Sequence, residues 1–153
     1  MQIHLRRLDN RTHRLEIVRT DGSREQRNLE TRSLLLHDLV HYAVESEAGL
    51  SDGFWGTLAA GATMASLHPN LDEQGQFITT PSLALAEALV GPMQAVHNGR
   101  FSADAYVAQL RPRAAFVDRD FVDAVRERLR RLWGQWRGTP FHQTMTLSWP
   151  PKP

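Results

Sequence analysis

The chain opens with alternation. In "QIHLRRL" (2–8) and "HRLEIVRT" (13–20) apolar and polar side chains take turns, with Ile3, Leu5, Leu15 and Ile17 carrying the apolar side. This is the pattern of strands with one buried face. Asp9-Asn10-Arg11 between the two, and Asp21-Gly22 after them, are turn sequences, because these residue types accept the tight backbone of a hairpin. "REQRNLE" (24–30) follows and is polar enough for an edge strand. Residues 2–29 are therefore expected to form a three-stranded antiparallel meander.

From Ser33 the period lengthens. At 100° per residue Leu36, Leu39, Val40, Ala43 and Val44 fall on one stripe of a helix that Gly49 stops. "SDGFWGTLAAG" (51–61) reads as a short helix capped by Ser51 and closed by Gly61. "TMASLHPNLDEQGQF" (63–77) has no sustained period and is expected to be a long loop. Thr80 and Pro81 then start a helix as cap and first residue, and its apolar surroundings imply burial on several sides. Gly91-Pro92 should kink or split it, since Pro92 has no amide to donate. Ser102 caps a helix running toward Pro112. Asp118 caps the longest one, from about Arg119 to Arg137, with Phe121, Val122, Val125, Leu129, Leu132, Trp133 and Trp136 on one side. "FHQTMTLSW" (141–149) alternates again. Strands at both ends imply a sheet that joins them. The expected fold is a single α+β domain over residues 1–153, a small three- to four-stranded antiparallel sheet packed against four to five helices.

Composition narrows the chemistry. Of 153 residues, 41% are hydrophobic and 23% charged, the balance of a globular domain with a core of its own. There is no cysteine, so any metal site must be built from His, Asp and Glu. No stretch approaches the ~18 consecutive apolar residues of a membrane span, and the N-terminal residues lack an apolar signal region. Cytoplasmic location without membrane association is the expectation. The net charge of +1 conceals a segregation. Residues 1–32 carry eight arginines against five acids, residues 33–110 one arginine against eight acids, and residues 111–137 eight arginines against four acids. The basic ends either form one surface or neutralise the acidic middle.

"LLLHDLVHYAVESEAGL" (34–50) supplies the candidate chemistry. His37, His41 and Glu45 are spaced four apart, at about 100°, 140° and 180° from the centre of the apolar stripe. They are thus expected on the shoulder and outer side of the helix, with Asp38 nearby. Two imidazoles one turn apart can reach one ion, and a carboxylate one turn further extends the set, suiting zinc or a similar divalent transition metal. A further ligand would come from His68, His97 or His142. "HDLVH" departs from the H-E-x-x-H pattern of zinc peptidases by placing the shorter Asp38 where glutamate belongs, and no extended peptidase motif follows. The competing reading makes both histidines border residues, hydrogen-bonded to backbone or to Asp38 and Glu45.

"HDLVHYAVESEAGLSDGFWGTLAAG" (37–61) resembles the central segment of an uncharacterised family of small bacterial proteins, in which a "PHDLVHFVVE" helix and then "LGLRDGFFG" follow an N-terminal strand pair. Leu36 stands where that family tends to have proline. The resemblance spans the helix and the following turn and implies no particular activity.

Two further signals bear on partners. "RERLRRLWGQWRG" (126–138) mixes arginine with tryptophan, but the wheel sets Trp133 and Trp136 on the apolar stripe, which disfavours nucleic-acid binding through Arg126, Arg130, Arg131 and Arg137. Phe54 and Trp55 are either core residues or an exposed patch for a protein partner or self-association, while Asp52, Gly53 and Gly56 shape a turn that lets helices approach. No phosphate-binding loop and no nucleophile elbow occurs. Missing catalytic constellations favour a non-catalytic binding or interaction module. The alternative is a metal-binding protein, in the extreme a metal-dependent hydrolase, with His37 and His41 as ligands and Glu45 or Asp38 as ligand or base.

Overall fold

Three strands joined by two tight turns start the fold: β1 (Gln2–Arg7), β2 (Thr12–Val18) and β3 (Arg24–Glu30). Asp9 closes the first turn by accepting the amides of Arg11 and Thr12, and Gly22 takes the left-handed conformation (φ 85°) in the second. These are coordinates of a computed structural model, which describes residues 1–67 and 79–151. The last strand, β4 (Thr144–Ser148), pairs antiparallel with β1, giving the order β3-β2-β1-β4. β3 is thus an edge, as its polarity implied. Register places Leu5 between Leu15 and Met145, and Ile3 between Ile17 and Leu147. All six are buried, so one face of the sheet is apolar and covered by helices.

Five helices complete the fold: α1 (Leu36–Ala48), α2 (Phe54–Ala59), α3 (Pro81–His97), α4 (Ala103–Leu110) and α5 (Arg119–Gly138). The molecule is an α+β fold with one four-stranded antiparallel sheet. Local signals start three of the helices as expected, with Thr80, Ser102 and Asp118 accepting the amides of Leu83, Ala105 and Phe121. Gly49 (φ 65°) ends α1. α3 is one element containing Pro92, not two. Part of the long loop expected over residues 63–77 lies outside the described residues; the described part holds a 3₁₀ turn at Ala65–Leu67.

Two expectations about the central segment need correction. A π-helical turn, Thr31–Leu35, precedes α1 and is capped by the Glu30 carboxylate, which accepts the amides of Arg32 and Ser33. Leu35 in this turn is fully buried, whereas Leu36, the expected centre of the stripe, is only partly so. More consequentially, α1 has no solvated flank over its middle. It packs against α2, α3 and α5, and every residue from Asp38 to Glu45 is buried. His41 and Glu45 therefore lie inside the protein and not on the outer side of the helix, while His37 at the start of the row stays partly exposed.

Candidate metal centre

His41 and Glu45 are fully buried on α1, and Glu45 Oε1 lies 2.9 Å from His41 Nδ1. Burial of such a pair is tolerable only when the remaining lone pairs are satisfied. On the Glu45 side they are, because the same carboxylate accepts the amides of Phe54 (3.0 Å) and Trp55 (3.1 Å) at the start of α2. Glu45, not Ser51, is therefore what caps that helix. Gly53 makes the approach possible: a Cβ there would sit 2.7 Å from Glu45 Cδ and Oε2. Gly56 has the same kind of role, since a Cβ on it would overlap the Ser51 carbonyl oxygen.

The arrangement fixes which His41 nitrogen is available. An ionised Glu45 only accepts, so Nδ1 carries the proton that it takes up. Nε2 faces the other way, buried and, among the described residues, with no hydrogen-bond partner. Oε1 of Glu87, on α3, is 3.3 Å from it, close enough to pair electrostatically but not aligned as a hydrogen bond. Burial alone would depress the His41 pKa, but Glu45 and Glu87 outweigh it and raise the value to about 9. His41 in turn holds the Glu87 carboxyl below its usual range against the opposing effect of partial burial.

His37 completes a triangle. Its ring lies edge-on to His41, centroids 4.6 Å apart, and its Nδ1 is 3.9 Å from Asp38 Oδ1. One ligand atom each from His37, His41 and Glu87 falls within 4.8 Å of the others. A tetrahedral ion with ligands at ~2.0–2.2 Å holds them roughly 3.3–3.6 Å apart, so small side-chain rotations would close the set. The acid in this triangle is Glu87, not Glu45. Glu45 stands behind His41, both its oxygens taken by donors.

The triangle opens on a cavity of about 840 Å³ between the sheet, α1 and α3, bordered by Leu15, Leu29, Leu83, Phe54, Asp38 and Arg27 among others. Asp38 is buried, and its Oδ2 has no hydrogen-bond partner among the described residues. Of the other candidate ligands, His97 and His142 are not part of this group. His97 is at the C-terminal end of α3, its pKa lowered by burial and by Arg126. His142 lies in the turn before β4, where its amide bonds the Arg7 carbonyl. His68 lies outside the described residues. Glu87 was the residue that sequence reasoning missed. Its signal was there to read, as the only carboxylate in the otherwise apolar stretch "PSLALAEALVGPMQAV".

Neither of the remaining surface signals gains support. Trp55 is buried and Phe54 packs against the core, so they form no exposed patch. Trp136 is buried and Trp133 partly so, while Arg126, Arg130 and Arg131 pair with Asp123 and Glu127 along α5. Among the described residues no helix is long and apolar enough to cross a membrane. No protein family, curated protein or solved structure matches the chain.

Proposed function

We propose that this protein binds one divalent transition-metal ion, zinc or a similar borderline metal, through His37, His41 and Glu87. The observation that carries this reading is the buried Nε2 of His41. Among the described residues it has no hydrogen-bond partner, with Glu87 Oε1 3.3 Å away, while Glu45 holds the opposite nitrogen. Histidines that ligate metals are oriented in this way, the second nitrogen donating to a carboxylate. Two imidazoles and one carboxylate leave coordination positions over, and these would face the cavity. Three protein ligands with an open position are the pattern of sites where the ion polarises a bound oxygen or activates water. Hydrolysis of a ligand held in the cavity is the reaction such a site needs least help to perform. The interaction-module reading rested on the lack of a catalytic motif in the sequence, and the burial of Trp55 removes only the exposed patch that would have accompanied it.

Elemental analysis of the untagged protein tests the assignment. About one equivalent of metal should be retained by the wild type and lost by Glu87→Gln and by His41→Gln variants with unaltered circular dichroism. Absence of metal above background after reconstitution with zinc, manganese, iron and nickel would sink it.

A further inference from the structure

The cavity bordered by His37 and Glu87 has a wall that the metal centre does not use. Leu15, Leu29, Leu34, Met64, Leu67 and Leu83 make it mainly apolar, and its volume of about 840 Å³ is that of a small-molecule site. One charge interrupts this wall on the sheet side. Arg27 is the partner of Leu15 across the β2–β3 ladder and so shares its helix-covered face. Arg27 Nε is closed off from solvent and, among the described residues, has no hydrogen-bond acceptor, although the side chain as a whole is 39% exposed. Glu25 Oε1 forms only a loose ion pair with it at 3.9 Å, since that carboxylate also takes the Met64 amide and Arg19. An inward arginine on an edge strand also discourages pairing with another sheet. That role alone would not leave a shielded N–H on the border of a cavity.

We propose that the cavity takes a small carboxylic acid with a hydrophobic body, its anionic head held by Arg27 and its body lying along the leucine wall toward the metal centre. The guanidinium fork suits a carboxylate, and an N–H without an acceptor gains a full charge-assisted bond when one arrives. Asp38 and Glu87 border the helical side and repel a second negative charge, which directs the head to the sheet side. The inference rests on the metal reading only for what lies at the far end of the ligand.

Calorimetric titration with octanoate, 1-octanol and acetate, on zinc-loaded and zinc-stripped protein, tests it. Octanoate should bind both forms and acetate neither. In Arg27→Met octanoate should weaken roughly tenfold or more, while 1-octanol changes by less than about twofold. Arg27→Lys, which keeps the charge without the fork, should recover part of the loss. Ala84→Trp, on an exposed turn of α3 that borders the cavity, should remove binding of both probes without lowering the melting temperature. The proposal is overturned if folded wild type ignores octanoate, if Arg27→Met leaves its affinity unchanged or weakens both probes equally, or if octanoate binds only with zinc present. Zinc stoichiometry on the same samples separates the two readings. Arg27-dependent octanoate binding without zinc binding removes the metal assignment alone, and zinc binding without octanoate binding removes this one alone.

Discussion

A buried imidazole held between two carboxylates is comfortable only while it is charged. The His41 pKa, about 9 in the fold against 6.5 for the free side chain, is raised. Its contribution is therefore fully present below pH 6.5 and is lost as pH climbs through 9. Chemical denaturation of metal-stripped protein should show stability falling by roughly 3 kcal/mol between those limits. The His41→Gln variant should be flat over the same window. His13, its pKa lowered mainly by burial, acts in the opposite sense and below pH 6.5, so it does not blur the comparison. A metal ion reverses the dependence, because it takes the place of the Nε2 proton, and zinc affinity should rise with pH up to about 9. At the same scale Glu45→Gln should weaken zinc by roughly 10–100-fold through loss of the Nδ1 acceptor, which competition with a chromogenic chelator measures. The His37 and His41 pair was legible in the sequence because its spacing is local. Glu87 was not paired with it, because forty-six positions separate it from His41 and only helix packing unites them. Glu45 as a hydrogen-bond partner of His41 is as local as the histidine pair and is what the competing reading expected. Its other partners, the amides of Phe54 and Trp55, leave no trace in residue type.

Among the elements, α2 depends least on its own sequence. Six residues cannot sustain a helix in water, and the cap that stabilises this one is a side chain from α1. The two glycines at its start should consequently differ from ordinary helix-start residues. Gly53→Ala forces Glu45 off both the α2 amides and His41, and should cost about 1–3 kcal/mol together with weaker metal binding. Gly56→Ala collides with backbone, which cannot rotate aside, and should cost roughly 3 kcal/mol or more. Melting temperatures of the two variants, with and without zinc, check both the order and the link to the site. By contrast, β1 to β3, α3, α4 and α5 were legible almost to the residue. Alternation, turn residues and the caps Thr80, Ser102 and Asp118 are written within a few positions of where they act. The environment of α1 was illegible because Glu45 is satisfied by His41 and by the α2 amides, so its polarity no longer marks a wet face.

Over the whole molecule, burial centres on α1, enclosed by the sheet, α2, α3 and α5. Amides from Leu39 to Val44 should accordingly exchange only through global unfolding, while those of the β3 edge exchange faster, as native-state hydrogen exchange will show. The charge segregation along the chain resolves in part as internal pairing. Arg128 on α5 bonds Glu47 on α1, and Arg119 at the start of α5 bonds Asp104 on α4. Affinity for polyanions should be weak at physiological salt, and filter binding that stays tight there would contradict this. Two of the proposed ligands ride on α1 and the third on α3. An ion held by all three would therefore be a clasp between helices that the chain joins only through α2 and the long connection after it. Every tenfold rise in free metal above its dissociation constant would then add about 1.4 kcal/mol to the folded state. Occupancy could be read from the melting temperature alone, before any substrate is known.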